Sequence, residues 1–211
     1  MKRIAIIGAG GNARELADML RALPEFEVAG FLTNMHGKYD SPVLGDFSWP
    51  ASHAIDGFAM AIGDPVAKFR VARELCARYP QVDWPVIVHP SAHVGSSVKL
   101  ERGVIVCIAA VATVEITIGE FSQLNYGCTV GHEARVGPAC LINPGANISG
   151  GVELGRSVLV GTGSQVLQYV KVGDAARIGA GAVVTKDVRA GATVVGVPAA
   201  PVRQEVPGAA K

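Results

Sequence analysis

A six-residue repeat fills the second half of this sequence. From Val94 to Ala190, in steps of six, fifteen of the seventeen positions are Ile, Leu or Val and the other two are Ala. Random placement of aliphatic residues would give about five or six matches. No insertion interrupts the spacing, and we expect the repeat to continue to Val195. This regularity predicts a solenoid in which each hexapeptide is a short strand plus a turn, and three hexapeptides close one triangular coil.

Two other positions in each hexapeptide fit the same geometry. The fourth residue after each aliphatic is small or β-branched, and the residue directly after it is often glycine. We expect the aliphatic side chains to point into a prism of about five coils and the small residues to let its corners close. Cys128 and Cys140 occupy the small inward position. We therefore predict that they, like Cys76 and Cys107, are reduced packing residues rather than nucleophiles.

The first part of the chain has a different pattern, in which strands and helices alternate. The predicted elements are a strand at Lys2–Ile7, a helix at Asn12–Ala22, a strand at Val28–Leu32, a strand at Phe58–Ile62 and a helix at Pro65–Tyr79. This βαβαβα order predicts a parallel sheet. The fold class is thus an α/β Rossmann-like domain at residues 1–83, followed by an all-β left-handed parallel β-helix at residues 84–211.

Charge and hydropathy exclude several functions. The net charge is +1, which gives no field to attract nucleic acid or an anionic membrane. No segment approaches the 18 apolar residues of a membrane-spanning helix, and the apolar run that begins at Ile4 is too short for a signal peptide. We expect a cytoplasmic protein that binds no nucleic acid and does not insert into membranes.

The segment Gly8–Ala13 matches G-x-G-x-x-A between a strand and a helix, where backbone N–H groups can hold a phosphate. Binding of NAD also needs an acidic residue at the end of the second strand. Leu32, Thr33 and Asn34 stand there instead. The pattern favours another nucleotide or phosphate ligand over NAD, and a purely structural turn remains open.

His132 and Glu133 are the best catalytic candidates. His132 is the third residue of its hexapeptide, so its side chain should point outward, and a neighbouring carboxylate makes a histidine a suitable general base. Asn125, Tyr126 and Asn143 add polar groups on an otherwise apolar scaffold. Gly150–Gly151 follows eighteen residues after His132–Glu133, one coil further on, where a bare backbone N–H could hold an acyl oxygen. An ordinary surface histidine and an ordinary coil corner are the structural alternatives.

Motifs along nearly the whole chain resemble the bacterial sugar acetyltransferases typified by UDP-4-amino-sugar N-acetyltransferases and sialic acid O-acetyltransferases. The matching segments are Gly8–Ala13, Gly30–Leu32, Ala61–Asp64, Val88–Ala92, Leu124–Gly127, His132–Glu133, Asn143–Ala146, Gly179–Val184 and Val194–Ala199. The repeat half alone indicates only the wider acyltransferase superfamily, and the N-terminal half narrows it. The resemblance implies a homotrimer with active sites between adjacent prisms, acetyl-CoA along the β-helix and a nucleotide-sugar on the N-terminal domain.

The resemblance also assigns roles to residues. It implies that His132 is the catalytic base with Glu133 as its partner, that Gly150 donates its N–H to the thioester carbonyl, and that Asn125 lies near the acceptor sugar. The acetyl-CoA groove is expected to include Gly151, Gly161, Ala180 and Lys186. The nucleotide site is expected to include Gly10, Gly11, Asn12, Thr33, Asn34 and Asp64. The chain departs from the family at Asn12 and Leu141, where histidine is frequent, and at Thr33, where an acidic residue is usual.

The leading hypothesis is an acetyl-CoA-dependent N-acetyltransferase that acts on a nucleotide-linked amino-sugar, such as a 4-amino-4,6-dideoxy sugar, by direct transfer without a metal. Acetylation of a hydroxyl on a sugar or sialic acid is the first alternative. A non-catalytic, nucleotide-sensing trimer is the second. The sequence leaves open the sugar, the nucleotide base and the pathway.

Overall fold

The computed structural model describes residues 1–35, 37 and 42–202. The N-terminal part contains β1 (Lys2–Ile7), α1 (Gly11–Arg21), β2 (Phe26–Leu32), β3 (Val43–Gly45), one turn of 3₁₀ helix (Trp49–Ala51), β4 (Gly57–Met60) and α2 (Pro65–Arg78). All strands of its sheet are parallel, in the order β3-β2-β1-β4. This is the predicted Rossmann-like α/β arrangement.

The connection between β2 and β4 differs from the predicted βαβαβα order. The additional edge strand β3 and the 3₁₀ turn stand where a second helix was expected. The strand β3 has only three residues, too few to show alternation, and it ends at Gly45, whose φ is +159°. A Cβ at Gly45 would lie 3.1 Å from the Trp49 ring, so the glycine makes room for the 3₁₀ turn.

The second part is a triangular prism of two-residue strands. In chain order these are β5 (Ile87–Val88), β6 (His93–Val94), β7 (Lys99–Leu100), β8 (Ile105–Val106), β9 (Val111–Ala112), β10 (Thr117–Ile118), β11 (Gln123–Leu124), β12 (Thr129–Val130), β13 (Arg135–Val136), β14 (Leu141–Ile142), β15 (Asn147–Ile148), β16 (Glu153–Leu154), β17 (Leu159–Val160), β18 (Gln165–Val166), β19 (Lys171–Val172), β20 (Arg177–Ile178), β21 (Val183–Val184), β22 (Thr193–Val195) and β23 (Ala200–Pro201). The prism begins at Ile87, one hexapeptide before Val94.

Three parallel sheets form the faces of the prism. Face 1 holds β5, β8, β11, β14, β17, β20 and β22, with β23 antiparallel at its end; face 2 holds β6, β9, β12, β15, β18 and β21; face 3 holds β7, β10, β13, β16 and β19. Partners up to β21 are eighteen residues apart, as for Gln123 and Leu141. We call the column of turns from face 1 to face 2 the first edge, and the column from face 2 to face 3 the second edge.

The interior of the prism confirms the predicted ladders. The second residue of each strand and the small fourth residue after it pack into one continuous core. Two serines in the small position are buried but satisfied: Ser122 Oγ donates to the Gly137 carbonyl at 2.8 Å, and Ser164 Oγ to that of Gly161 at 2.8 Å. Buried hydroxyls need such partners, so serine fits a slot otherwise filled by Ala, Val, Ile or Cys.

The last coil differs from the prediction, because the six-residue spacing of buried aliphatic residues ends after Val184. Val172 pairs with Val188, and Ile178 pairs with Val194, so this coil is two residues shorter than the others. Asp187 makes the shortening possible, because its side chain accepts the Lys171 N–H at 2.8 Å. Val188 is consequently buried, whereas Ala190, the last member of the predicted series, is exposed.

The N-terminal part packs against face 1. On one side of its sheet, α1 shares a core with Ile87, Ile105 and Cys107 of the prism. On the other side, Trp84 and Phe121 join the core beneath α2. Phe58 N donates to the Asp83 carbonyl, and Gly103 N donates to the Trp84 carbonyl. The division of the chain between residues 83 and 84 remains a prediction.

Candidate active site

The predicted catalytic pair lies on the second edge of the prism. His132 Nδ1 is 3.0 Å from Glu133 Oε2, and both side chains are about half exposed. Because a carboxylate can only accept, Nδ1 must carry the proton, which leaves Nε2 with a lone pair. Glu133 has φ +61°, a left-handed turn conformation, and this places its side chain back beside the preceding imidazole.

Gly150 lies directly against the imidazole, one coil beyond it. A Cβ built on Gly150 would overlap His132 Cε1 and Nε2, so any other residue there would push the ring aside. Gly151 N donates to the His132 carbonyl at 2.8 Å. No acceptor for the Gly150 N–H occurs among the described residues, so this donor is available to a bound group.

The other predicted acetyl-CoA residues divide between two edges. Gly151 and Lys186 follow Gly150 on the second edge, and the exposed Tyr169 ring covers Gly151 so closely that a Cβ would collide with it. Gly161 and Ala180 lie on the first edge. A Cβ at Gly161 would be 2.5 Å from the Ala180 N, so this position needs glycine for the coils to approach each other.

A cleft of about 360 Å³ opens between the N-terminal part and the first edge. It is lined by Asn12, Glu15, Gly63, Asn125, Tyr126, Leu141, Asn143, Pro144 and Leu159. Burial, with the thiol of Cys107 and the carboxylate of Glu15 nearby, raises the pKa of the Tyr126 phenol. The cleft therefore joins two of the predicted substrate residues, Asn12 and Asn125, in a pocket with a neutral phenol and three apolar side chains.

Gln123 connects those two asparagines, and sequence reasoning missed it. Its Nε2 donates to Asn12 Oδ1 at 3.1 Å and to Asn125 Oδ1 at 3.0 Å. It is 2% exposed and takes the outward position of face 1 that Ile105 and Leu141 occupy on the adjacent strands. A polar residue between Ile105 and Leu141 in that column was the available signal.

The first turn of α1 provides an open anion site. Gly10 is the N-cap without a side-chain cap, and none of the described residues lies within 4 Å of a Cβ built on Gly10 or Gly11. The first N–H groups of a helix have no intrahelical partner and attract phosphate. Gly8, at φ +117°, passes close to the Ala61 carbonyl and turns the chain into this position.

Thr33 and Asn34 lie at the end of β2, in a separate cavity of about 220 Å³. It is lined by Thr33, Asn34, Met35, Asp46, Phe47, Ser48 and Arg78. Asn34 Oδ1 accepts the Phe47 N–H at 2.9 Å, which ties the end of β2 to the loop after β3. These residues share the carboxyl-end edge of the sheet with Gly10 and Gly63 but do not line the first cleft.

Asp64 already has two partners. Its Oδ1 accepts the Ala67 N–H at 2.8 Å as the N-cap of α2, and its Oδ2 forms an ion pair with Arg177 of β20. The bond from Ala67, then Arg177, lowers the pKa of this carboxyl. The pair links the N-terminal part to face 1, and Arg177 is another residue that sequence reasoning missed.

In one copy of the chain the predicted residues of the prism form two groups. His132, Glu133, Gly150, Gly151 and Lys186 lie on the second edge. Asn125, Gly161 and Ala180 lie on the first edge, next to the cleft that includes Asn12. The whole of face 2 separates the groups, so a single copy does not bring them together.

One further groove, next to the catalytic pair, is lined in part by Glu133. A larger groove of about 660 Å³ runs along face 3 past Arg135, Glu153 and Lys171, and it contains none of the predicted site residues. Within residues 1–35, 37 and 42–202, no three His, Cys, Asp or Glu side chains are arranged to hold a metal ion. No helix in the same ranges has the length and hydropathy needed to cross a membrane.

A prism of hexapeptide coils with a histidine, its carboxylate and a facing glycine on one edge defines a β-helical acyltransferase. Residues 3–75 match the family model described as the PglD N-terminal domain. PerB from Caulobacter crescentus, solved with CoA and GDP-perosamine, is 30% identical, with 96% of this chain and 98% of that chain covered and a TM-score of 0.88. The chain belongs to the bacterial sugar N-acetyltransferases with a left-handed β-helix.

A second similar structure supports the same assignment. The acetyltransferase domain of PglB from Neisseria gonorrhoeae is 29% identical, with 96% of this chain and 100% of that domain covered and a TM-score of 0.88. The same domain has been solved with acetyl coenzyme A. No curated protein sequence matched the chain. The predicted fold and the predicted class, an acetyl-CoA-dependent acyltransferase, are confirmed.

Proposed function

We propose that this protein transfers the acetyl group of acetyl-CoA to the amino group of a nucleotide-linked sugar, in the leading form a 4-amino-4,6-dideoxy sugar. The observation that carries the proposal is the contact between the Glu133-bound imidazole of His132 and the backbone of Gly150. Two similar proteins support the substrates: PerB was solved with CoA and GDP-perosamine, and the PglB domain with acetyl coenzyme A.

The geometry suits direct transfer. The sugar amine attacks the thioester carbonyl carbon, so an N–C bond forms while the carbonyl oxygen gains negative charge. His132 Nε2 takes the proton from the amine, and Glu133 stabilises the imidazolium. The Gly150 N–H donates to the oxyanion. The C–S bond then breaks, and the imidazolium returns the proton to the CoA sulfur, so no covalent enzyme intermediate is required.

We propose further that a complete site needs two copies of the chain in a homotrimer. The second edge of one copy supplies His132 and Gly150, and the first edge of its neighbour supplies Asn125 and the cleft. Face 2, which lies between these edges, suits burial between copies. From β9 to β21 its outward positions are uncharged (Val111, Thr129, Asn147, Gln165 and Val183), whereas face 3 carries Lys99, Arg135, Glu153 and Lys171.

On the N-terminal part we place the nucleotide at the carboxyl ends of β1, β2 and β4. The diphosphate would accept hydrogen bonds from the first turn of α1, at Gly10, Gly11 and Asn12. The nucleoside would extend toward Thr33 and Asn34, and the sugar into the cleft beside Asn125. Asp64 would act near the nucleotide mainly by holding the start of α2 in position.

The test of the catalytic assignment is His132→Ala, assayed for acetyl transfer to nucleotide amino-sugars. General-base catalysis contributes about 10²–10⁴-fold, so we expect kcat to fall by that range while the melting temperature stays unchanged. His53→Ala is the matched control, because His53 stacks on Trp49 in the N-terminal part. Activity of His132→Ala within about tenfold of wild type contradicts the assignment.

The test of the shared site mixes the inactive His132→Ala variant with the impaired Asn125→Ala variant. A site between copies regains both residues when an Asn125→Ala copy donates its histidine to a His132→Ala neighbour. Random mixing in equal amounts then makes about a quarter of the sites fully active, so the mixture exceeds Asn125→Ala alone. A mixture with only half the activity of Asn125→Ala alone shows that one copy supplies both residues.

Acetylation of a sugar hydroxyl remains the second candidate function, because the same base can activate an alcohol. Labelled acetyl-CoA and hydroxylamine treatment separate the two outcomes, since hydroxylamine cleaves an ester and leaves an amide intact.

A further inference from the structure

Four side-chain amides form a continuous chain from the first turn of α1 to the first edge. Asn12 Nδ2 donates to the Ala61 carbonyl at 3.1 Å and to Gln123 Oε1 at 3.4 Å. Gln123 Nε2 donates in return to Asn12 Oδ1 and onward to Asn125 Oδ1. Asn125 Nδ2 donates to Asn143 Oδ1 at 3.5 Å. The chain thus crosses from the N-terminal part to the prism.

One backbone carbonyl fixes the direction of the whole chain. The Ala61 oxygen can only accept, so Asn12 must turn its NH₂ group toward it. The Asn12 oxygen then faces Gln123, so Gln123 must turn its own NH₂ group toward it to donate a hydrogen bond. The same NH₂ group reaches Asn125, so the Asn125 oxygen faces inward and its NH₂ group faces Asn143 and the cleft. Reversing any one amide would bring two donors or two acceptors together.

Burial makes this orientation costly to lose. Gln123 is 2% exposed and Asn125 is 6% exposed, so water cannot replace a missing partner. An unsatisfied polar group in such a position carries its full desolvation cost. The aliphatic rungs on either side, Ile105 and Leu141, offer no alternative partner. The Cys107 thiol contacts Gln123 Nε2 at 3.7 Å and Asn125 Oδ1 at 3.6 Å, but a thiol is only a weak donor and acceptor.

We propose that Gln123 is a positioning residue that holds the Asn125 carboxamide with its N–H toward the acceptor sugar. The inference rests on the proposed function, in which the sugar occupies the cleft beside Asn125. A donor at this place selects a sugar that presents a hydroxyl or ring oxygen to it. It also keeps the Asn125 oxygen away from the sugar amine, which reacts at His132 of the neighbouring copy.

The experiment is a double-mutant cycle on the full-length protein with Gln123→Leu and Asn125→Ala. Leucine matches Leu141 and Leu159 on the same face, and Gln123→Met serves as a second variant of nearly equal length if the first fails to fold. We expect Gln123→Leu to lower kcat/KM for the nucleotide amino-sugar about three- to tenfold, the usual effect of one hydrogen bond. The KM for acetyl-CoA and the affinity for the free nucleoside diphosphate should not change.

The cycle distinguishes positioning from packing. If Gln123 acts through Asn125, Gln123→Leu has no further effect in the Asn125→Ala background. Ile105→Val is the matched control, because it alters the adjacent rung without touching an amide. Additive losses, an equal loss in Ile105→Val, or an unchanged Gln123→Leu overturn the inference. A wild-type protein that acetylates no nucleotide amino-sugar would instead overturn the proposed function.

Discussion

Lys68 is a charge buried without a partner, and its replacement by methionine should stabilise the protein. The side chain is 0% exposed, and Nζ has no hydrogen-bond partner among the described residues. Burial lowers the pKa of this amine from 10.5 to about 8, and the nearby thiols of Cys140 and Cys107 offset only part of the effect. That shift corresponds to about 3 kcal/mol of folding free energy. Methionine keeps the length of the stem without the amine.

The lowered pKa of Lys68 determines how the stability difference between the two proteins changes with pH. Between pH 8 and 10.5 the unfolded chain holds the Lys68 proton while the folded chain has released it, so wild-type stability gains with rising pH from this group. Lys68→Met should therefore exceed wild type by about 3 kcal/mol below pH 8, or roughly 6–12 °C in melting temperature. The gap should close as the pH approaches 10.5. The cysteines titrate in both proteins, so comparison at each pH cancels most of their contribution.

The assay is chemical and thermal unfolding of wild type and Lys68→Met at pH 7, 8, 9 and 10. Lys99→Met, on the exposed face 3, is the control for loss of a surface lysine and should show no such gap. A destabilised Lys68→Met at pH 7, or a gap that stays constant between pH 7 and 10, refutes the reasoning.

Three further results are expected. Gly150→Ala should lower kcat by about 10²-fold with an unchanged melting curve, because the new Cβ displaces only the exposed His132 ring; a fully active variant contradicts the proposed contact. Asp64→Asn, which keeps the cap and loses the half-exposed ion pair with Arg177, should cost no more than about 1 kcal/mol in urea unfolding; a larger loss shows a stronger link between the two parts. Native protein treated with a disulfide thiol reagent at pH 8 should react mainly at the partly exposed Cys76. Burial raises the pKa of the other thiols to about 11 or 12, and fast labelling of these residues contradicts that account: Cys107, Cys128 and Cys140.

The sequence was sufficient for the prism because its signal is repetitive. Each coil repeats the demand for an aliphatic and a small residue, so seventeen weak preferences add into one strong prediction. The sequence did not predict the shorter last coil. Asp187 replaces a backbone acceptor with its side chain there, and the spacing of hydrophobic residues does not show such a replacement. The sequence did not predict the strand β3, because three residues are too few to show the alternation of apolar and polar residues that is typical of a strand.

The sequence named candidate site residues, but it did not show how the fold arranges them. His132 and Gly150 are eighteen residues apart, so the repeat itself places them in contact. Gln123 and Arg177 bond to Asn12 and Asp64, which are more than a hundred positions away in the sequence. The local sequence pattern contains no information about such distant contacts. The separation of the predicted residues onto two edges follows only from assigning each hexapeptide to a face.

Because each coil up to β21 has eighteen residues, the distance between two positions on one edge of the prism is a whole number of coil heights. Gly150 and Lys186 lie two coils apart on the second edge, a rise of about 10 Å at the usual strand spacing. Adding one coil between them would lengthen this edge by about 5 Å and keep Lys186 in line. Adding a single hexapeptide would instead turn Lys186 by one-third of a coil, onto a different edge. The reach along the proposed acetyl-CoA groove can therefore change only in whole coils, which constrains how relatives of this chain can adapt to acyl donors of different length.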